Sequence, residues 1–281
     1  MRSKRQFYYL LLESLLFLLL VGCASYVQVS QHREEHRKNA QPVDGDPTSH
    51  LPLEIPRSHD TTLRVHYRQA FSYGFSPHYK QSLWVAYQFL SSELTKRVGR
   101  SNRFTPDPYE SESATNEDYK RSGFDKGHLA PAADMHWNPE AMRQSFYFTN
   151  ISPQLPALNR GGWKYLENQV REWTRRYDTL YIVTGPLFLK TLTYIGKNQI
   201  PVPSHFYKAL LTRFDGRWES IAFIMENKKD FISLSDVRCT VDSLEGLSGL
   251  DFFSRLDDSV EKLVESHYHA NFWFLSHPNG K

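Results

Sequence analysis

Ser122-Gly123-Phe124-Asp125-Lys126-Gly127-His128-Leu129-Ala130-Pro131-Ala132-Ala133-Asp134-Met135 sets a carboxylate, an ammonium, a glycine and an imidazole at four consecutive positions, Asp125 to His128. Glycine at 127 allows backbone or ligand to approach the following histidine closely. Asp125 is spaced to orient the imidazole through one ring nitrogen, leaving the other free as a base. Any single one of the twelve histidines is more readily structural or solvated, so the reading of His128 depends on its surroundings.

Downstream come Asn150-Ile151-Ser152-Pro153-Gln154 and then Leu158-Asn159-Arg160-Gly161-Gly162-Trp163. Trp163, Leu166, Val170, Trp173 and Tyr177 recur at three- and four-residue intervals, which predicts a helix over 163–177 with one buried face. Asn159 stands at its start, and Glu167 and Arg171, four apart, share a ridge beside the apolar stripe. In isolation Asn159 reads as an N-cap, and Glu167 with Arg171 as an exposed ion pair worth about 0.3–0.5 kcal/mol. Together, an amide oxygen, a carboxylate and a guanidinium directed from one helix towards a histidine suit an Mg2+-assisted phosphodiester site, because Mg2+ keeps most of its waters and needs few protein ligands.

Outward from this centre, segments rich in β-branched and aromatic residues alternate with turn clusters. Strands are predicted over 62–67, 69–73, 82–89, 146–150, 179–184, 204–211 and 219–225, and a second helix over 257–268. The mixture predicts an α+β fold, a mixed and mainly antiparallel central sheet flanked by helices. No Gly-rich phosphate loop, HExxH, GxSxG or CxxC pattern is present, which removes the usual support for nucleotide-dependent, zincin, serine-hydrolase and thioredoxin-like chemistry. No nucleotide cofactor is expected.

Composition agrees with a globular chain: 40% hydrophobic, 14% aromatic and 23% charged residues over 281 positions, with a mean hydropathy of −0.56 that excludes a multi-spanning membrane protein. Residues 1–22 have a basic start, Arg2-Ser3-Lys4-Arg5, and an apolar run shorter than the ~20 residues of a spanning helix. They read as a signal peptide. Leu20-Val21-Gly22-Cys23 resembles the lipobox of bacterial lipoproteins, in which cleavage precedes a cysteine that carries a diacylglyceryl group; the plainer reading is an ordinary signal peptide with Cys23 incidental. Without that segment the net charge falls from +3 to about +1, so any nucleic-acid binding must come from local sites. Residues 23–60, charged and then rich in proline, glycine and aspartate, read as a flexible tether, and 61–276 as the folded domain. Cys239 is then left without a partner and is expected to be a buried free thiol.

The sequence resembles the DNA/RNA non-specific endonucleases of the ββα-metal type. Their Asp-Arg-Gly-His signature appears as Asp125-Lys126-Gly127-His128, and their Arg-Ser-Asn-x-Phe-x-x-Asp-Pro segment as Arg100-Ser101-Asn102-Arg103-Phe104-Thr105-Pro106-Asp107-Pro108. Phe146–Gln154, Asn159 with Trp163 and Glu167, Thr184-Gly185-Pro186-Leu187, Val202–Lys208 and Leu247–Phe253 also fit, so the resemblance covers about residues 61–255. It implies that His128 is the general base, Asn159 the direct Mg2+ ligand (Mn2+ being the other candidate), and Glu167 the holder of metal-bound waters. Arg171 and Arg100 would contact phosphate, with Arg103 the competitor for the second role, and Asp125, Lys126 and Asn150 would complete the catalytic and substrate-binding set. Lys126 departs from the family's arginine and replaces a bidentate donor with a point charge.

The resemblance further implies hydrolysis of DNA and RNA to 5′-phosphate products, and family members are often dimers. With the N-terminal reading it predicts an exported, lipid-anchored nuclease of a bacterial cell envelope. A non-catalytic nucleic-acid-binding relative would lack the base or the metal ligand, and both are present. A toxin-like nuclease with a dedicated target would be marked by a cognate inhibitor encoded nearby.

Overall fold

In chain order the strands are β1 (Arg57–Ser58), β2 (Arg64–Tyr67), β3 (Ser72–Ser76), β4 (Gln81–Leu90), β5 (Asp125–His128), β6 (Ile151–Gln154) and β7 (Thr179–Leu187). They continue with β8 (Tyr194–Ile195), β9 (Ile200–Pro201), β10 (His205–Phe214), β11 (Arg217–Glu226), β12 (Arg238–Cys239) and β13 (Leu250–Asp251). This computed structural model describes residues 52–229 and 233–274. The signal segment, Cys23 and most of the tether lie outside the described residues. Among those described, no helix is long and apolar enough to cross a membrane.

Seven strands form one antiparallel sheet in the order β12-β11-β10-β7-β4-β3-β2. The β10–β11 hairpin closes on Asp215-Gly216, with φ of +48° and +77°, as a tight two-residue hairpin turn requires. Each long strand is apolar on both faces. Phe206 and Leu210 of β10 join Val85, Tyr87, Ile182 and Phe223 in a core shared with Leu166, Val170 and Trp173 of the long helix Lys164–Tyr177. Tyr207, Ala209 and Leu211, also buried, face the other way. There Tyr207 meets Phe252 edge-on at 5.7 Å, and Ser220 donates to the Val264 carbonyl at 2.5 Å. A sheet covered on both faces can be apolar throughout. It separates a layer built on the long helix from a layer built on the helices Val241–Ser248 and Asp258–Ser266.

On the long-helix side, β5 and β6 pair antiparallel, with Asp125 opposite Gln154 and His128 opposite Ile151. A wide helical turn over Leu158–Trp163 leads into the long helix. Two strands and a helix thus carry the motif of the sequence analysis, and the α+β expectation holds.

Three details differ from expectation. Residues 146–150 do not form a strand: Phe148–Asn150 is a 3-10 turn, because the Asn150 side chain bonds backbone groups around it, and the strand starts at Ile151. The folded chain begins before 61, since Ile55 is buried and β1 pairs with β13. Cys239 is free but half-buried, with burial raising its thiol to about 11.

Candidate active site

His128 ends β5 with its ring edge-on to Phe146 at 4.9 Å and tilted against Phe104 at 5.5 Å. Only 8% of the residue is exposed, and its Nε2 has no hydrogen-bond partner among the described residues. Trp163 Nε1 donates to the His128 carbonyl at 3.3 Å and so ties the helix entrance to β5. The Arg100 guanidinium lies over the opposite aromatic wall, 5.1 Å from the Phe146 ring centroid, and its Nε donates to Asn102 at 2.8 Å. Burial foremost, and then the charge of Arg100, push the imidazole down to about 3. Burial thus favours the neutral form of the ring.

Asp125 does not orient that ring. Its Oδ2 accepts from Asn159 Nδ2 at 2.9 Å and from Arg160 Nε at 2.8 Å, while Oδ1 accepts from Arg160 Nη2 at 2.7 Å. Three donors keep its carboxyl below the usual range against the opposing effect of burial. The consequence falls on Asn159: with Nδ2 fixed on Asp125, the amide presents Oδ1 as its remaining polar atom. Asn159 is also no N-cap. It lies inside the wide turn, its N–H bonded to the Leu155 carbonyl at 2.9 Å.

Glu167 and Arg171 do not pair with each other. Arg171 donates to Asp134 Oδ1 at 2.7 Å and to Asn168 at 2.6 Å; Asp134 Oδ2 in turn accepts from Tyr87 at 2.8 Å. Asp134, fully buried, thus anchors Arg171 through the core. Burial raises the Glu167 carboxyl, and the positive charges of Lys208, Arg171 and Arg100 partly oppose it. Lys208 was not singled out by the sequence. It is wholly inaccessible, with Nζ 4.9 Å from the Trp163 ring centroid and without a hydrogen-bond partner among the described residues. The signal available for it is its place at an inward position of β10, between Phe206 and Leu210, where an apolar residue would ordinarily stand.

The loop 100–108 is held by Asp107, a second residue not singled out. Its buried carboxylate pairs with Arg68 and accepts from Tyr73 and Thr149, at 2.7 and 2.8 Å, and from the Tyr109 N–H at 2.9 Å. Arg100 and Arg103 are both exposed, but it is Arg100 whose charge acts on His128 and Glu167. Lys126 lies over the Phe104 ring at 4.7 Å and donates to Asn116 at 2.5 Å. With Phe104, Asn116, Asp125, Asn159 and Arg160 it lines an open cleft of about 530 Å³. Gly127 has its reason here: a Cβ would come within 2.2 Å of the buried Gln154 side chain.

Asn150 requires correction as a substrate contact. It is fully buried; its Oδ1 accepts from the Ala130 N–H at 2.9 Å, and its Nδ2 donates to the carbonyls of Ala130 at 2.9 Å and Ser145 at 2.8 Å. No donor remains for a phosphate, and the side chain locks the segment after His128 instead.

A family model described as DNA/RNA non-specific endonuclease matches residues 54–259. The chain is similar to endonuclease G, mitochondrial, of Bos taurus, 37% identical over 204 residues, covering 66% of this chain and 67% of the relative. It is 34% identical over 257 residues to nuclease EXOG, mitochondrial, of Xenopus laevis, covering 84% of this chain and 70% of that one. Among solved structures, a chain from the crystal structure of the EndoG/EndoGI complex superposes with a TM-score of 0.65 at 28% identity, over 70% of this chain and 88% of that one. Family match, relatives and fold agree: the chain belongs to the DNA/RNA non-specific endonuclease family, and it is a nuclease.

Proposed function

We propose that the protein is an Mg2+-dependent, sugar-non-specific endonuclease that hydrolyses DNA and RNA with His128 as general base. The observation that carries this reading is the buried Nε2 of His128, without a hydrogen-bond partner among the described residues and enclosed by Phe104 and Phe146. A ring nitrogen with no protein partner is free to take a proton from an attacking water.

The residues fit a hard divalent cation, since the Asp125–Asn159 hydrogen bond leaves an amide oxygen to ligate it and Glu167 offers a carboxylate to its water shell. An ion held there would supply Lewis acidity and positive charge to the reacting phosphate. Arg100 and Arg171 present positive charge to the transition state, the second held rigid by Asp134 and Tyr87. Lys126, at the cleft, binds backbone phosphate, and phosphate contacts carry no sequence information, in keeping with non-specific cleavage. The basic start, the apolar run and Cys23 support export and a lipid anchor at the cell envelope; incorporation of labelled fatty acid that disappears in Cys23→Ser tests that part.

The activity test incubates the protein with supercoiled plasmid and with single-stranded RNA, each with Mg2+ or EDTA, beside His128→Ala. Cleavage of both substrates, lost in EDTA and in the variant, is expected. A near-normal rate in His128→Ala removes His128 as the base.

A further inference from the structure

On the sheet face away from His128, the helices Val241–Ser248 and Asp258–Ser266 bring Asp242, Glu245 and Glu265 together, one oxygen of each lying within 4.8 Å of the other two. Asp242 and Glu245, three residues apart, share one side of their helix. Glu265 comes from the neighbouring helix, only 4% exposed, and its Oε1 has no hydrogen-bond partner among the described residues. Glu245 Oε1 accepts from the Phe252 N–H at 2.7 Å, which leaves its second oxygen for another partner. Asp251 and Glu261 stand close by and hydrogen-bond each other, and Arg57, His59 and Arg255 act on Asp251.

A buried carboxylate oxygen without a donor is costly, and three carboxylates at this spacing repel one another. A cation resolves both. The spacing distinguishes between ions: Ca2+, with oxygens at 2.3–2.6 Å, spans ligand pairs up to about 5 Å apart, whereas Mg2+ at 2.0–2.1 Å spans about 4 Å and tolerates less irregularity. We propose that Asp242, Glu245 and Glu265 form a Ca2+ site that clamps the two helices together, separate from the catalytic centre. The site is exposed through Asp242 and closed behind by Glu265, which gives the ion an entry path and a buried anchor.

The test is thermal unfolding of the chelator-stripped full chain with Ca2+ alone, at about 5 mM, which saturates a site with a Kd on the order of 0.1–1 mM. The midpoint is expected to rise by about 2–8 °C. The rise is expected to persist in Asn159→Ala, which leaves this cluster intact, and to vanish in Glu265→Gln and in Asp242→Asn. Asp242 is exposed, so its variant carries little risk to folding. A midpoint unmoved by Ca2+ overturns the proposal, and so does a rise that survives in both cluster variants or is lost in Asn159→Ala. If Glu265→Gln by itself raises the midpoint while Ca2+ adds nothing to the parent chain, the cluster holds protons only and the site does not exist.

Discussion

Replacing His128 with Gln tests the electrostatics of the site without substrate or metal. The imidazole has an ordinary value of 6.5 and is pushed to about 3 in the fold, mainly by burial between Phe104 and Phe146. The folded state therefore refuses a proton that the unfolded chain accepts. Its contribution to stability is complete above pH 6.5 and is lost as pH falls towards 3. A fall from 6.5 to about 3 corresponds to about 5 kcal/mol in total, of which about 3 kcal/mol disappears between pH 7 and pH 4. Glutamine does not titrate, so the variant lacks that loss. Urea unfolding followed by tryptophan fluorescence, in EDTA at pH 7 and pH 4, should show the parent chain losing about 3 kcal/mol more than His128→Gln. Carboxylates titrate in both proteins and largely cancel in the difference. Parallel losses, within about 1 kcal/mol, would falsify the buried neutral imidazole, because no other group distinguishes the two chains. The same reasoning bears on catalysis: with the imidazole lowered by burial, an acid limb near neutrality in the rate profile of the free enzyme would belong to another group.

Such a limb would come from Glu167, whose carboxyl burial raises and whose charge Lys208 favours. Lys208→Met should move the acid limb of kcat/KM upward by about 1 pH unit, and an unmoved limb separates Lys208 from Glu167. Asp125→Ala frees both Asn159 and Arg160; the metal concentration needed for half-maximal rate should rise about 10–100-fold, and no change would mean that Asn159 is held without it. Asn150→Ala strands the Ala130 N–H and the carbonyls of Ala130 and Ser145. It should cost about 3 kcal/mol or more in urea unfolding while kcat per folded molecule stays constant, whereas an unchanged stability with a raised KM would return Asn150 to the substrate site.

What the sequence made legible follows the range of the interactions involved. The long helix was readable because Trp163, Leu166, Val170, Trp173 and Tyr177 repeat along one local period, and all five are buried. The strands β4, β7, β10 and β11 were readable as apolar runs, with boundaries off by a few residues. The four-residue strands β5 and β6 carried no such period: Asp125-Lys126-Gly127-His128 has no apolar side chain, and its pairing with Ile151–Gln154 brings the Gln154 side chain close against Gly127. The same distinction holds at the site. The residue types of His128, Asn159, Glu167 and Arg171 were visible as a constellation, but their partners were not. Arg171 finds Asp134 rather than Glu167, and Asp125 finds Asn159 and Arg160 rather than His128. Each of these pairings joins segments at least thirty residues apart, and each decides a property that the amino-acid type leaves open: which amide atom faces outward, which guanidinium is held, whether an imidazole is charged. Lys208 shows the point most sharply. As a letter it is a cation in a strand, and only the closure of Trp163 over it and the nearness of Glu167 make it a buried charge facing the long helix. A buried charge carries a desolvation cost, and the effect of Lys208→Met on the Glu167 limb is the measurement that decides whether the site extends through the sheet strand behind the helix.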